Sequence, residues 1–235
     1  MKTVILAGGR GSRISEESNL KPKPMIQIGK MPIIMHIIKI YEYHGFKEFI
    51  ICGGYKQNVI KKFFKKHKYN FKVRVINTGI DTMTGGRILK LKNILKKDKN
   101  FFLTYGDGVS DVNIKKIYNL HLKKKKIVTL CAVRPNSKFG IIKFYKNSNN
   151  LVSRFYEKPK NHYISGGFFV ISNKIFKYIK DSKSIFEFDC LPKLAIEGQL
   201  VAYKHLGFWH CLDTMKDKLE LNKIWKSKNC PWRKW

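Results

Sequence analysis

The chain has 235 residues, 43% of them hydrophobic, enough for one sizeable core and one elaborate α/β domain. No stretch reaches the roughly 18 to 20 apolar residues of a membrane span, and the opening apolar run, residues 3–7, is too short for a signal peptide. The formal net charge is +32, from 48 Lys and Arg against 16 Asp and Glu, but the excess is scattered lysine without a binding motif; it argues against a nucleic-acid function and suits the steering of phosphate-rich small ligands into a cleft.

Residues 2–6 form a compact apolar run ended by glycines, the pattern of a buried strand. Pro32 opens a helix that Gly45 stops, with Ile33, Ile37, Ile40 and Tyr41 at helical spacing. Residues 49–52 read as the next buried strand, 56–66 as a helix, 72–76 as a strand, 86–95 as a helix and 101–104 as a strand. This alternation predicts βαβ units and a mostly parallel sheet. Beyond residue 126 the strand-like runs 127–133, 140–144, 152–156 and 167–171 crowd together, so extra strands are expected on or beside the first sheet. A helix over 185–196, a strand over 200–205 and a helix over 214–224 follow. The lysine runs 61–68 and 123–126 read as solvated helix faces and a turn, and the aromatic tail 230–235 carries no motif. No internal repeat, linker or domain boundary interrupts residues 1–235. Cys52, Cys131, Cys190, Cys211 and Cys230 are widely spaced with no CxxC pair, which fits free thiols in a reducing cytoplasm rather than a disulfide frame or a zinc site.

In an open α/β sheet, ligands bind beyond the carboxyl ends of the strands. Four polar clusters fall there: 8–13, 78–87, 106–111 and the stretch around Asp213. The first, in LAGGRGSR (6–13), combines close-approach glycines and free backbone N–H groups with Arg13, whose planar guanidinium suits bidentate phosphate contacts. It matches neither G-x-G-x-x-G, since position 14 is Ile, nor a Walker loop. Lys23 stands between two prolines as a fixed point charge. Asp107, flanked by glycines after a buried strand, suits Mg²⁺, with Asp111 as a nearby alternative. Asp213 lies 106 residues later (213 − 107), and sequence alone does not bring the two together. Glu157-Lys158-Pro159 and Gly166-Gly167 are candidates for a second phosphorylated ligand, whereas His205 and His210 receive no catalytic role.

Assembled, these motifs resemble the sugar-nucleotide pyrophosphorylases, whose LAGGxGTR-type loop is matched with Ser12 in place of Thr. TMTGGR (82–87), YGDGVSDV (105–112), SEES (15–18), FYEKPK, GGFFVI and GFWHCLDTMKDK narrow the resemblance to the glucose-1-phosphate cytidylyltransferases, over nearly the whole chain. The resemblance implies an α/β, Rossmann-like three-layer nucleotidyltransferase fold with a mixed, mostly parallel central sheet and extra strands in the second half. Residues 1–126 would mainly bind nucleotide and 127–235 mainly sugar phosphate. It implies CTP and α-D-glucose 1-phosphate as substrates, CDP-glucose and pyrophosphate as products, Mg²⁺ as cofactor, and a homo-oligomer with no nucleic-acid or membrane partner.

By the same resemblance Leu6, Ala7, Gly8, Gly9, Arg10, Gly11, Ser12, Arg13, Lys23, Gly106 and Asp107 hold the nucleotide, with Thr82 and Arg87 at the cytidine. Arg13, Lys23 and Asp107 are the catalytic set, and Asp107 and Asp213 ligate the metal. Glu157, Lys158, Ser165, Gly166 and Gly167 form the sugar-phosphate side. Two departures stand out: a short segment over 66–72, and Ser165 where Asn is usual. Two other readings stay open on sequence: the same chemistry with another nucleotide or sugar 1-phosphate, and a catalytically silent binding module on the same fold.

Overall fold

The structure is a computed structural model and describes residues 1–66, 68–135, 140–147, 150–157 and 162–235. Strand β1 (Lys2–Ala7) leads through a short helix, α1 (Ser15–Ser18), and a small hairpin of β2 (Gln27–Ile28) and β3 (Met31–Pro32) into helix α2 (Ile33–Tyr43). Then come β4 (Glu48–Gly53), α3 (Gln57–Lys66), β5 (Lys72–Asn77), α4 (Thr84–Leu89), α5 (Lys92–Leu95), β6 (Asn100–Tyr105), β7 (Gly108–Ser110) and α6 (Ile114–Lys124). The second half adds β8 (Val128–Val133), β9 (Ile141–Phe144), β10 (Val152–Tyr156), β11 (Ile164–Ser172), α7 (Leu191–Ile196), β12 (Leu200–His205), β13 (Trp209–Cys211) and α8 (Met215–Lys226).

Seven strands form the central sheet, in the order β12-β8-β11-β6-β1-β4-β5. The pairs of β1 with β4 and β6, of β4 with β5, and of β12 with β8 are parallel; β11 runs antiparallel to both β6 and β8. The sheet is thus mixed and mostly parallel, as the alternation of elements predicted. The crowded strands of the second half divide: β8, β11 and β12 extend the main sheet, while β9 and β10 pair as a separate hairpin.

Both faces are covered, which is why the central strands read as continuous apolar runs. Along β1, Ile5 and Ala7 pack toward α2, α3, α6 and α8, while Val4 and Leu6 pack toward α4, α5 and α7. That is the period-2 alternation of a strand buried on both sides. Because β1, β4, β5 and β6 are parallel, the loops that follow them open at one end of the sheet. The antiparallel β11 brings its first residues, through Gly167, to that same end.

Three sequence expectations needed revision. The helix over 86–95 is two pieces, because Leu91 N–H bonds the Ile88 carbonyl three residues back and tightens the turn between α4 and α5. The stretch 185–196 begins as a single π-turn, Phe186–Cys190, before α7. Helix α6 was not read at all, although Asn113 caps it by accepting from Lys116 N–H and Ile114, Ile117 and His121 line its buried side.

The tail also has a place. Trp232 is fully buried, stacked near Phe208 and Trp225, and its indole N–H donates to His36 Nδ1 at 3.2 Å. His36 Nε2 lies 3.0 Å from the Ile28 carbonyl. An indole N–H only donates and a carbonyl only accepts, so His36 is the neutral tautomer with its proton on Nε2. Burial pushes its pKa down to about 4. Burial pushes His121, set against Thr129 and Asn100, down to about 4 as well.

Replacing Trp232 by Ala should destabilise the chain by about 3–5 kcal/mol through the cavity it leaves. The same change at Trp235, which is 40% exposed, should cost much less; urea unfolding of the two variants checks this, and equal effects would contradict the packing role. The buried histidines also set a pH response. The unfolded chain binds their protons near pH 6.5 and the folded chain only near 4, so folding stability should decline as pH falls through that window. His36→Gln should flatten part of that slope in unfolding midpoints taken across the window, and an unchanged slope would refute the assignment.

Candidate active site

The four polar clusters meet in one cleft of about 770 Å³, large enough for a nucleotide-sized ligand. Its floor is the glycine loop after β1. Gly11 sits at φ 70°, the left-handed conformation that suits glycine, and opens a short turn, Ser12–Ile14, that carries Arg13. Gly8 has no room for a side chain: a Cβ there would stand 2.1 Å from Arg87 Nη1.

Arg87 explains why these loops hold their positions. It is 4% exposed, and its guanidinium donates to Thr78 Oγ1 at 2.6 Å and to the carbonyls of Gly79 at 2.7 Å, Gly8 at 3.0 Å, Ile80 at 3.2 Å and Gly53 at 3.3 Å. One side chain therefore ties together the loops after β1, β4 and β5. A planar fork of five N–H donors is suited to that, and a lysine would not reproduce it. Arg87 lines the cleft as the sequence reading required, but its donors are engaged by the protein itself. Thr82, 8% exposed, lines the same wall. Of the backbone groups expected to face a nucleotide, the Leu6 carbonyl accepts from Gly106 N–H, and the Gly8 carbonyl accepts from Tyr55 N–H as well as from Arg87.

Opposite the glycine loop lies the charged centre. Lys23 Nζ donates to Asp107 Oδ2 at 2.7 Å and to Asp213 Oδ1 at 2.5 Å, and Arg13 Nη1 donates to Asp213 Oδ2 at 2.8 Å. The two carboxylates that sequence could not join therefore share one ammonium. The ribbon of β7 and β13 brings them together: Cys211 pairs with Gly108, and Leu212 N–H donates to the Asp107 carbonyl at 2.8 Å. Lys23 is only 12% exposed. Burial alone would lower its pKa, but Asp107 and Asp213 outweigh that and hold it above the usual lysine value. Pro24 keeps this lysine in a short turn, Lys23–Met25.

The donor set suits a hard cation. Two carboxylates converge on one cationic point, and among the described residues no group of three or more His, Cys, Asp or Glu side chains forms a closed metal cage. Mg²⁺ needs one or two carboxylates and leaves its remaining positions to water and substrate phosphates. Asp107 and Asp213 fit that requirement. Asp111, the alternative, does not: it lies outside the cleft lining and bonds His205 Nε2 at 2.9 Å.

On the other wall stand Ser165, Gly166 and Gly167, where β11 departs from regular pairing with β8 and Gly167 takes φ 76°. Trp209 Nε1 holds the Gly166 carbonyl at 2.8 Å. Glu157, expected on the sugar-phosphate side, is exposed just after β10, on the separate hairpin, and is not among the residues that line the cleft. Lys158 lies outside the described residues. Arg10 and Ser12 line the mouth, Arg10 3.6 Å from Asp81.

Sequence reasoning missed Glu187, Tyr105 and Trp209. The π-turn before α7 presents Glu187 to the cleft, where it accepts from the Tyr105 hydroxyl and from Thr84 Oγ1 at 2.6 Å. A helical reading of 185–196 gave no reason to single it out, because only the irregular turn aims it inward. Each cysteine is a free thiol, and Cys211, at the cleft, is pushed up to about 12 by burial and by Asp213.

Residues 2–227 match the Nucleotidyl transferase family. Over its full length the chain is 39% identical to the glucose-1-phosphate cytidylyltransferase of Salmonella typhi, also covered in full, in an alignment of 259 positions. It is 38% identical to the probable glucose-1-phosphate cytidylyltransferase of Bacillus subtilis (strain 168), again with both chains fully covered. Among solved structures, HddC from Yersinia pseudotuberculosis complexed with GMP-PN superposes with a TM-score of 0.76 at 24% identity, covering 96% of this chain and 99% of that one; this likeness establishes the fold. The chain belongs to the nucleotidyl transferase family, and its full-length relatives within that family are glucose-1-phosphate cytidylyltransferases.

Proposed function

We propose that the chain makes CDP-glucose and pyrophosphate from CTP and α-D-glucose 1-phosphate. The observation that carries this reading is the Lys23 ammonium shared by Asp107 and Asp213, directly facing a glycine loop with Arg13. A site of this kind neutralises and orients a polyphosphate. Its chemistry requires no side-chain nucleophile.

A phosphate oxygen of glucose 1-phosphate, already ionised, attacks the α-phosphorus of CTP in line. The bond from that phosphorus to the β-phosphate oxygen breaks, and pyrophosphate leaves. Catalysis is then positioning plus charge neutralisation. The loop Leu6, Ala7, Gly8, Gly9, Arg10, Gly11 and Ser12 cradles the triphosphate, and Arg13 holds the part that leaves. Lys23 transfers its interaction from carboxylates to the α-phosphate. Thr82 lines the cytidine pocket, and Arg87 fixes the loops that shape it, with Gly106 closing the floor. Ser165, Gly166 and Gly167 face the sugar, and Lys158 anchors the attacking phosphate, with Glu157 beside it in sequence. Asp107 and Asp213 would hold Mg²⁺, which supplies charge neutralisation at the triphosphate. On this reading residues 1–126 serve mainly the nucleotide and 127–235 mainly the sugar phosphate, within one domain. No helix among the described residues is long and apolar enough to cross a membrane. The free, mostly buried thiols support a cytoplasmic setting.

Pyrophosphate release measured with glucose 1-phosphate and each of CTP, UTP, dTTP, GTP and ATP should favour CTP; no such preference would overturn the cytidylyl assignment. In the same assay Lys23→Ala and Asp107→Asn should lose about 10²–10³ in turnover while remaining folded. Wild-type-like activity in either variant would remove its assigned role.

The reading also includes a homo-oligomer. Ile142, Phe144, Val152 and Phe155 of the β9–β10 hairpin are all about half exposed or more, and Phe155 pairs with Ile142 and Val152 with Phe144. An isolated two-stranded hairpin is marginal in water, so an apolar face of this kind is suited to cover by a second copy. Sedimentation should give a mass above that of one chain, shifted toward monomer by Phe155→Lys; a monomeric wild type at micromolar concentration would refute assembly.

A further inference from the structure

The strongest group that the proposed chemistry leaves unused is at the far end of the β7–β13 ribbon. His205 Nε2 lies 2.9 Å from Asp111 Oδ1, 3.2 Å from the Phe208 carbonyl and 3.2 Å from Ser110 Oγ. Ser110 in turn donates to the Phe208 carbonyl at 2.7 Å and accepts from Val112 N–H at 3.1 Å. A carbonyl only accepts, and its hydroxyl neighbour already donates to that carbonyl. The imidazole proton therefore sits on Nε2, aimed at Asp111.

This cluster joins two parts of the fold. His205 is the last residue of β12, paired with Val133 in the main sheet. Asp111 and Ser110 end β7, and Phe208 begins the approach to β13. Asp111 N–H also donates to the Phe208 carbonyl, at 3.2 Å. The packing leaves no slack: a Cβ at Gly207 would stand 2.5 Å from Asp111 Oδ1 and 2.8 Å from His205 Cε1. At its other end the same ribbon carries Asp107, which precedes β7, and Asp213, which follows β13. The two ends lie four residues apart, roughly 13 Å in extended chain. A ribbon of two short paired strands held at one end transmits that anchor to the other.

We propose that His205 and Asp111 form a positioning clamp that sets the mutual geometry of the Asp107 and Asp213 carboxylates through the β7–β13 ribbon. The proposal rests on the reading of those two aspartates as the cation site, and it assigns His205 no contact with substrate. Outer partners that orient ligating groups commonly contribute about 10–100-fold in metal affinity or activity.

The geometry makes a sharp distinction among substitutions. A glutamine amide nitrogen reaches the position of Nε2 and donates there. An asparagine amide stops at the position of Nδ1, and an alanine donates nothing. The test uses the full chain with CTP present and Mn²⁺ as the probe, its free concentration read by electron paramagnetic resonance. Steady-state kinetics and thermal melts accompany it. His205→Ala and His205→Asn should weaken Mn²⁺ binding and lower kcat, each by about tenfold or more. The KM values for both substrates should stay within about threefold, and His205→Gln should restore most of the loss. Asp111→Ala provides the second variant, with the same expected pattern, should His205→Ala fail to fold. Wild-type Mn²⁺ affinity and kcat in folded His205→Asn and Asp111→Ala would overturn the clamp, as would losses that merely track the unfolded fraction. Unchanged Mn²⁺ binding in Asp107→Asn would overturn it differently, by removing the cation site on which it depends.

Discussion

The site depends on one ammonium group. Lys23 Nζ is the only atom that touches both Asp107 and Asp213 among the hydrogen bonds of the described residues, and those aspartates lie 106 residues apart in sequence (213 − 107). Two carboxylates gathered on one ammonium would repel each other without that cation between them. The buried lysine removes that conflict and is itself kept charged by it. The lysine offsets the repulsion between the two carboxylates, and they in turn hold its charge against burial. The local backbone serves the same end: Pro24 restricts the lysine's turn, and the β7–β13 ribbon supplies the aspartates from its two strands.

A second tie, of different chemistry, governs the opposite wall. Arg87 carries its charge into a site lined by carbonyls and one hydroxyl; among the described residues its acceptors are Gly8, Gly53, Thr78, Gly79 and Ile80, none of them a carboxylate. Loops that follow parallel strands have no ladder partners of their own, so their carbonyls need donors from elsewhere. One guanidinium meets that need for three loops at once. The glycines nearby follow from it, since the space that a Cβ at Gly8 would take is the space the guanidinium fills. Within LAGGRGSR, Gly8 therefore reflects packing against Arg87, whereas a Cβ at Gly9 would meet nothing within 4 Å.

The sheet was legible because its signal is local. Runs such as 2–6, 49–52 and 200–205 are apolar, short and bounded by polar or glycine residues, and each became a strand with ends within about a residue or two. The cleft was legible for a related reason: parallel strands place their following loops together, so four polar clusters in sequence became one site. What escaped was set by tertiary contact. Trp232 lies in a tail without periodicity, and only its neighbours His36, Phe208 and Trp225 explain its burial. Glu187 faces the cleft because a π-turn rotates it there, and no spacing rule distinguishes it from the exposed Phe188 beside it. The placement of Glu157 was equally hard to read from sequence. Its neighbours in sequence suggest a cleft residue, but among the described strands β10 pairs with β9 and not with the main sheet.

The large positive charge and the acidic pair at the site pull in opposite directions, and their balance shapes what the cleft can accept. A net charge of +32 draws polyanions toward the whole surface. At the cleft itself Arg13 and Lys23 are already paired with carboxylates, so their charge is largely neutralised at short range. A polyphosphate arriving alone would have to break those pairs and leave Asp107 and Asp213 facing each other and its own charge. With a divalent cation, Asp107 and Asp213 would hold that ion, leaving Lys23 and Arg13 free to pair with phosphate. Lys23 is largely buried, and breaking its pairs without replacement costs more than exchanging them. On the proposed reading, the resting contacts of Lys23 would favour a cation-bearing triphosphate over other anions that the basic surface collects.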